Sequence, residues 1–196
     1  MSIPCPVFIQ LFMAPQISEN QLLTTRLRLL PFAENWLEAM QAGSLAFLTY
    51  TGYRLPQPYT EFPESFQATG AALSKDKQDF PWVSFAFLWE PQRTYIGQGG
   101  FKGSPDDEGV VEIGYEISEA FRSMGFAHEA IGAFVHAAFQ HEGVRQVCAH
   151  TLPDLNASNH LLIKNKFVFD STVSDEEDGP VWKWVLRKAA YQLSLR

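Results

Sequence analysis

Apolar and polar positions change period several times along this chain, and each change marks an element. Leu22 to Leu30 alternates and reads as a strand, while Trp36, Leu37 and Met40 fall at helical spacing and predict a helix over Glu34 to Ala42. A proline-rich stretch, Tyr53 to Pro63, leads to a second predicted helix near Glu64 to Lys75. Trp82 to Trp89 and Thr94 to Lys102 read as a strand pair turned at Pro91-Gln92-Arg93. The turn Ser104 to Gly109 then hands the chain to Val110 to Ile117, extending an antiparallel meander. Phe126 to His141 reads as a helix presenting Ala130, Ile131, Phe134, Ala138 and Phe139 to a sheet. Strand Val144 to Thr151, helix Ser158 to Asn165 and a hairpin of Phe167 to Val173 with Val181 to Arg187 complete the order. Strands followed by strand-helix-strand-helix-strand predict an α/β sandwich: a mixed, mainly antiparallel sheet of about seven strands with helices on both faces.

Size keeps this to one unit. A chain of 196 residues, 46% hydrophobic, buries a sizeable core without room for two, and no low-complexity linker divides it. Residues 1–196 are therefore expected to form a single domain, with 1–21 an N-terminal extension, 22–188 the core and 189–196 a tail. The extension carries Phe8, Ile9, Leu11, Phe12 and Met13, which suit packing on its own domain or on a second copy of the chain, a homodimer. It lacks a basic start and is broken by Pro4, Pro6 and Pro15, so it reads poorly as a signal peptide. No apolar run approaches the roughly 20 residues of a membrane span. Cys5 and Cys148 show no metal-ligand or disulfide-framework spacing, so no metal is expected and a reducing cytoplasm is the default. A formal net charge of −7 argues against a nucleic-acid partner and suits a cationic substrate.

The chemistry concentrates in Arg122-Ser123-Met124-Gly125-Phe126-Ala127, a glycine-bearing turn between a strand and a helix. Amides at a helix N-terminus lack partners and sit at the positive end of the dipole, an arrangement that suits a pyrophosphate. Arg122 adds a fixed positive charge, and Gly125 permits a conformation and a closeness of approach that a side chain would obstruct. A plain structural turn is the competing reading of the hexapeptide alone. Its neighbours are Glu112-Ile113-Gly114-Tyr115-Glu116-Ile117 before it and Asn156-Ala157-Ser158, with Phe167 nine residues beyond the serine, after it.

With these three motifs in order, the chain from about Leu22 to Arg187 resembles the GNAT superfamily of acyl-CoA-dependent N-acyltransferases. The family's cofactor motif, Arg/Gln-x-x-Gly-x-Gly/Ala, fits Arg122, Gly125 and Ala127. Within the superfamily the chain looks most like the RimJ/RimL branch, named for ribosomal-protein N-terminal acetyltransferases. That resemblance implies a sheet splayed between its fourth and fifth strands, and an acetyl-CoA whose pantetheine arm pairs near Ile117 and Ser118. Its pyrophosphate would rest on Ser123, Met124, Gly125, Phe126 and Ala127, with Asn156 also at the cofactor. It implies direct transfer to an amine acceptor, foremost a protein or peptide N-terminus and second a small amine; a non-catalytic acyl-CoA-binding module competes with both.

An amine must lose a proton before it attacks a thioester. By resemblance Glu112 is the candidate base, with partial burial expected to raise its pKa; a solvent-facing strand residue, or a ligand for the substrate's charge, competes with that role. Ser158 resembles the serine placed near the sulfur in the RimL-type branch, although as the first residue of a helix it reads equally well as an N-cap. Many family members carry a tyrosine four residues later, where this chain has Leu162. Trp36, Tyr50, Tyr53, Arg54, Tyr59 and Phe62 are expected around the acceptor, with Tyr115 beside them, and local core is the competing reading of each. The branch's usual asparagine is displaced by one position to Asn156, and Lys166 replaces the usual glycine, so either Lys166 or Asn165 must take the turn after the helix. Gly97-Gln98-Gly99-Gly100 lies within a strand pair and reads as a bulge. His128, His136, His150 and His160 show no ligand spacing and read as ordinary surface or core residues.

Overall fold

The computed structural model describes residues 15–18, 20–63, 80–154, 156–176 and 179–195. Most of the expected N-terminal extension and the expected helix near Glu64 to Lys75 lie outside them. In chain order come β1 (Gln16–Ser18), β2 (Gln21–Leu23), β3 (Leu27–Pro31), α1 (Glu34–Gln41), α2 (Ser44–Thr51), β4 (Ser84–Trp89), β5 (Thr94–Phe101) and β6 (Val110–Ile117). Then follow α3 (Phe126–Gln140), β7 (Gln146–Thr151), α4 (Ala157–Lys164), β8 (Val168–Asp175), β9 (Gly179–Arg187) and α5 (Lys188–Ser194). The sheet has nine strands in the order β1-β2-β3-β4-β5-β6-β7-β9-β8, with β6–β7 the parallel pair in an otherwise antiparallel array. Among the described residues no helix is long and apolar enough to cross a membrane.

Nine strands replace the expected seven or so because the first predicted strand is two strands and β1 precedes them. Thr24 breaks the run: its amide donates to the Leu27 carbonyl at 2.9 Å, and its hydroxyl oxygen accepts from the Leu27 amide at 2.9 Å. A side chain that offers the backbone a local partner competes with the strand ladder. Two further elements depart from expectation. The apolar run of α2 carries no helical periodicity and leaves Leu45, Leu48 and Tyr50 exposed, so its pattern gave no signal. Residues 188–194, expected in a tail, form α5, docked by Tyr191 against Phe139 with ring centroids 5.1 Å apart.

Strand alternation sorts the core into two layers. Phe85, Phe87, Val111 and Ile113 turn toward α3, whose Ala130, Ile131 and Phe134 complete the larger cluster. Ala86, Leu88 and Tyr95 turn the other way, against Leu37, Met40 and Phe47 of α1 and α2. The glycine cluster of β5 sits where this double-sided sheet is tightest. A Cβ at Gly99 would stand 2.5 Å from the Gly114 carbonyl and 2.9 Å from Phe87, so the site excludes any side chain. The register slips opposite Phe87 and Leu88, which makes Ile96 the extra residue of a bulge.

Candidate active site

The site begins where two strands part. β6 and β7 pair only through Val110–Gln146, Val111–Val147 and Glu112–Cys148, and beyond that point the ladder ends. β6 remains paired with β5 to Ile117. The Glu112 carbonyl and the Ser118 amide both face β5, so alternation turns the backbone groups of Tyr115 and Ile117 toward the side β7 has left. The Ile117 carbonyl there accepts from Arg122 Nε at 3.1 Å; the remaining strand groups at such an opening suit an extended polar ligand that adds itself as a strand.

At the far end of that opening lies the loop into α3. Ser123 and Gly125 both adopt left-handed backbone, with φ of 60° and 81°. Alternating the hand of successive residues gathers amides on one side into an anion-binding concavity. Among the described residues, the amides of Ser123 to Ala127 have no protein acceptor. The loop is braced from behind by Arg26, which donates from Nη1 to the Met124 carbonyl at 2.9 Å and lies over the Phe126 ring at 4.3 Å. Arg26 is itself fixed by Glu129 in the first turn of α3, through Nε at 2.8 Å and its own amide at 2.6 Å. The Thr24 hydroxyl donates to the same carboxylate.

Between the loop, β6 and α4 is a cavity of about 700 Å³. Ile117, Arg122, Ser123, Gly125, Phe126, Ala127, Asn156 and Ser158 line it, so the structure gathers these expected cofactor and catalytic residues around one space, with Tyr115 among them. Met124 is 43% exposed and stands outside the lining. Ser118 is buried and its hydroxyl donates to the Tyr59 carbonyl at 2.8 Å. The combination of a backbone edge, an amide concavity and an arginine fits an acyl-CoA, whose arm is amide-rich and whose other end is a diphosphate.

The two readings of Ser158 separate here. Asn156 caps α4: its side-chain oxygen accepts from the Ser158 amide at 2.9 Å and from the Asn159 amide at 3.2 Å. The Ser158 hydroxyl therefore does not cap the helix and stands in the cavity wall. Beside it is the Tyr115 hydroxyl, buried without a hydrogen bond of good geometry. Burial pushes the Tyr115 phenol up to about 12, and nearby Ser158 offsets this only in part. The position after α4 is also decided. Lys166 takes the left-handed turn at φ 69°, while Asn165 keeps φ −85°.

Glu112 lies on the opposite sheet face and does not line the cavity. Its Oε1 meets Lys102 Nζ at 2.5 Å and His150 Nδ1 at 2.9 Å, and the carboxylate is 25% exposed. Burial pushes its pKa up, as expected from the sequence, but Lys102 and His150 more than offset burial and hold it below the ordinary value. Farther along this face Glu116 receives the Thr60 hydroxyl at 2.8 Å and the Glu61 amide at 2.6 Å. That contact seats residues 59–62 at the cavity mouth, where Glu61 pairs with Arg122 at 2.5 Å. Phe62 reaches the cavity, but Trp36 and Tyr53 do not. Trp36 packs edge-on against Phe47, and Tyr53 is buried, donating to Glu90 beneath Arg93. Tyr59 joins that second layer and reaches the site through its carbonyl. Tyr50 and Arg54 are exposed.

Sequence reasoning passed over Arg26, Glu61, Lys102, Glu129 and His150. Each acts through a partner roughly 50 to 100 positions away, or across strands, and no local spacing announces such pairs.

Comparison with known proteins agrees with this geometry. Residues 26–168 match the acetyltransferase (GNAT) domain family. An uncharacterised N-acetyltransferase of Bacillus subtilis, YjdG, is 26% identical over 149 residues, covering 75% of this chain and 89% of its own. Two solved structures share the fold. One is RimL, a ribosomal L7/L12 alpha-N-protein acetyltransferase in complex with coenzyme A, with a TM-score of 0.60 at 17% identity, covering 85% of this chain and 97% of that one. The other is the spermidine/spermine N-acetyltransferase SpeG of Vibrio cholerae, with a TM-score of 0.64 at 16% identity, covering 88% and 98%.

Proposed function

This chain belongs to the GNAT acetyltransferase family and is an N-acetyltransferase; from that premise we propose that it transfers acetyl from acetyl-CoA directly to the α-amine of a protein or peptide N-terminus. The observation that carries the cofactor part is the cavity at the β6–β7 opening, with an unpaired strand edge along one side and five unpartnered amides at one end. The amides of Ser123 to Ala127 and the Arg122 guanidinium hold the diphosphate. The backbone of Tyr115 and Ile117 receives the arm, and one of their amides faces the thioester oxygen as charge grows on it. Ser158 and Tyr115 supply hydroxyls toward the departing sulfur, where a neutral phenol with a raised pKa remains a donor throughout the working pH range. Glu112 is the carboxylate of the proton-accepting side.

For the acceptor, the carboxylates favour a single amine over a polyamine. A polyamine carries a second cation that a binding site has to meet. The two carboxylates at the cavity, Glu61 and Glu116, are engaged by Arg122 and by the 60–61 backbone and hydroxyl. Glu116 is not left for a second ammonium, and Glu61 becomes available only as far as the diphosphate draws Arg122 away, which favours an acceptor presenting one amine. The fold shared with RimL supports that class, and the fold shared with SpeG keeps the polyamine as the comparison to run. Measured by release of free thiol from acetyl-CoA, kcat/KM for a short peptide with a free N-terminus is expected to exceed that for spermidine at least tenfold. The reverse order would overturn the N-terminal acceptor.

A further inference from the structure

The group that takes the proton from the acceptor amine is open to identification, because Glu112 is badly placed for it. Its pKa is held low, and Lys102 and His150 both crowd the same oxygen. His150 is differently situated. It lies on β7 two residues beyond Cys148, the last residue paired with β6, and so flanks the opening at its narrow end. Its Nδ1 lies 2.9 Å from the Glu112 carboxylate, an ion-pair contact rather than an aligned hydrogen bond, and because an ionised carboxylate only accepts, the contact favours the tautomer with its hydrogen on Nδ1. In a neutral ring the lone pair is then on Nε2, which has no protein partner among the described residues. Two residues beyond Glu112 on β6, Gly114 leaves an open floor between Glu112 and Glu116: a Cβ there would find its nearest neighbour, Lys102 Cε, only at 3.9 Å.

We propose that His150, oriented by Glu112, is the base that deprotonates the acceptor amine over Gly114. The inference rests on the acetyl-transfer reading. Nε2 takes one proton from the ammonium, and the freed nitrogen pair forms the bond to the thioester carbon. The carbon–sulfur bond breaks with its electron pair leaving on sulfur, and the second nitrogen proton goes to that thiolate by way of solvent. His150 returns its own proton to water, so the cycle closes with amide, coenzyme thiol and one released proton from the original ammonium. Glu112 is a positioning residue in this scheme, fixing the tautomer and neutralising the imidazolium. Lys102, the residue after β5, keeps Glu112 ionised. The groups facing the ring are Glu112, Lys102 and, across the β7–β9 ladder, Lys183, with the buried Cys148 thiol below, pushed up by burial to about 11.

Two measurements test the assignment. Long-range proton–nitrogen NMR of the imidazole rings, with His150 assigned through His150→Gln, is expected to show a hydrogen on Nδ1 and a bare Nε2 in the neutral ring. That preference should weaken in Glu112→Gln. A neutral ring protonated on Nε2 would overturn the proposal without touching the cofactor reading. In kinetics, His150→Ala should lower kcat about 100-fold while acetyl-CoA affinity stays at the wild-type value, and imidazole added to solution should restore turnover saturably. Unchanged kcat, or a loss that imidazole does not relieve at intact acetyl-CoA affinity, would overturn it. Failure of the wild-type protein to bind acetyl-CoA would instead bring down the transfer reading on which the proposal stands.

Discussion

The Tyr115 hydroxyl is the sharpest single-residue case, because burial leaves it only the poorly aligned Ser158 hydroxyl as a partner. A buried hydroxyl without a hydrogen bond of good geometry is destabilising by about 1–3 kcal/mol, and this one faces the cavity beside Ser158. Tyr115→Phe should therefore raise the melting temperature of the unliganded protein by about 2–4 °C, the shift that about 1 kcal/mol produces in a chain of this size. The same variant should turn over more slowly with acetyl-CoA affinity little changed. A fall in thermal stability together with full turnover would show that the hydroxyl is partnered and idle. At this scale much was legible: Arg122, Gly125, Ala127 and Ser158 were found by spacing and resemblance, and they do meet around one cavity. Trp36 and Tyr53 were expected at the acceptor from their place in the first two helices and the loop between them. Aromatic residues bury well wherever they fall, and these two pack into the second core layer.

Between elements, the loop into α3 is braced by contacts from residues about 100 positions earlier in the chain. Glu129 in the first turn of α3 gathers the Thr24 hydroxyl, the Arg26 amide and the Arg26 guanidinium, and Arg26 in turn holds the Met124 carbonyl. An acid in a first helical turn also suits the dipole. Glu129→Gln should leave the fold intact and weaken acetyl-CoA binding several-fold, since the loop loses its brace rather than a ligand contact; unchanged affinity in calorimetry would dismiss that role. β4, β5 and β7 were readable as apolar runs bounded by turn signals, since they are buried on both faces, while β6 shows a true alternation of buried and half-buried positions. Where neither signal marks an element the sequence is silent. Thr24 splits an apparently continuous strand through its own hydroxyl, and α2 is apolar nearly all round.

Across the whole molecule, an acidic chain with net charge −7 places one ion cluster, Lys102–Glu112–His150, at the junction of its two half-sheets. Because the folded pKa of Glu112 is depressed, the stability it contributes is full above the ordinary value of 4.5 and is lost as pH falls through the lower folded-state value. Lys102 is 61% exposed, so solvent screening limits the ion pair's contribution to about 1 kcal/mol. The stability gap between wild type and Glu112→Gln, read from denaturant titrations, should close as pH falls below about 4.5, where the unfolded chain takes up the Glu112 proton first. A gap that widens with acid would reverse the sign of the argument. The central claim is nonetheless the cofactor: the opening between β6 and β7 and the loop at its end exist to hold acetyl-CoA. Its direct test is calorimetric titration of the protein with acetyl-CoA, with NAD as control. Saturable acetyl-CoA binding is predicted, weakened about tenfold (about 1.4 kcal/mol) by Arg122→Ala and strengthened by Glu61→Gln, which removes the carboxylate that occupies Arg122. A folded protein that takes up no acetyl-CoA, or binds it equally well without Arg122, would contradict the account.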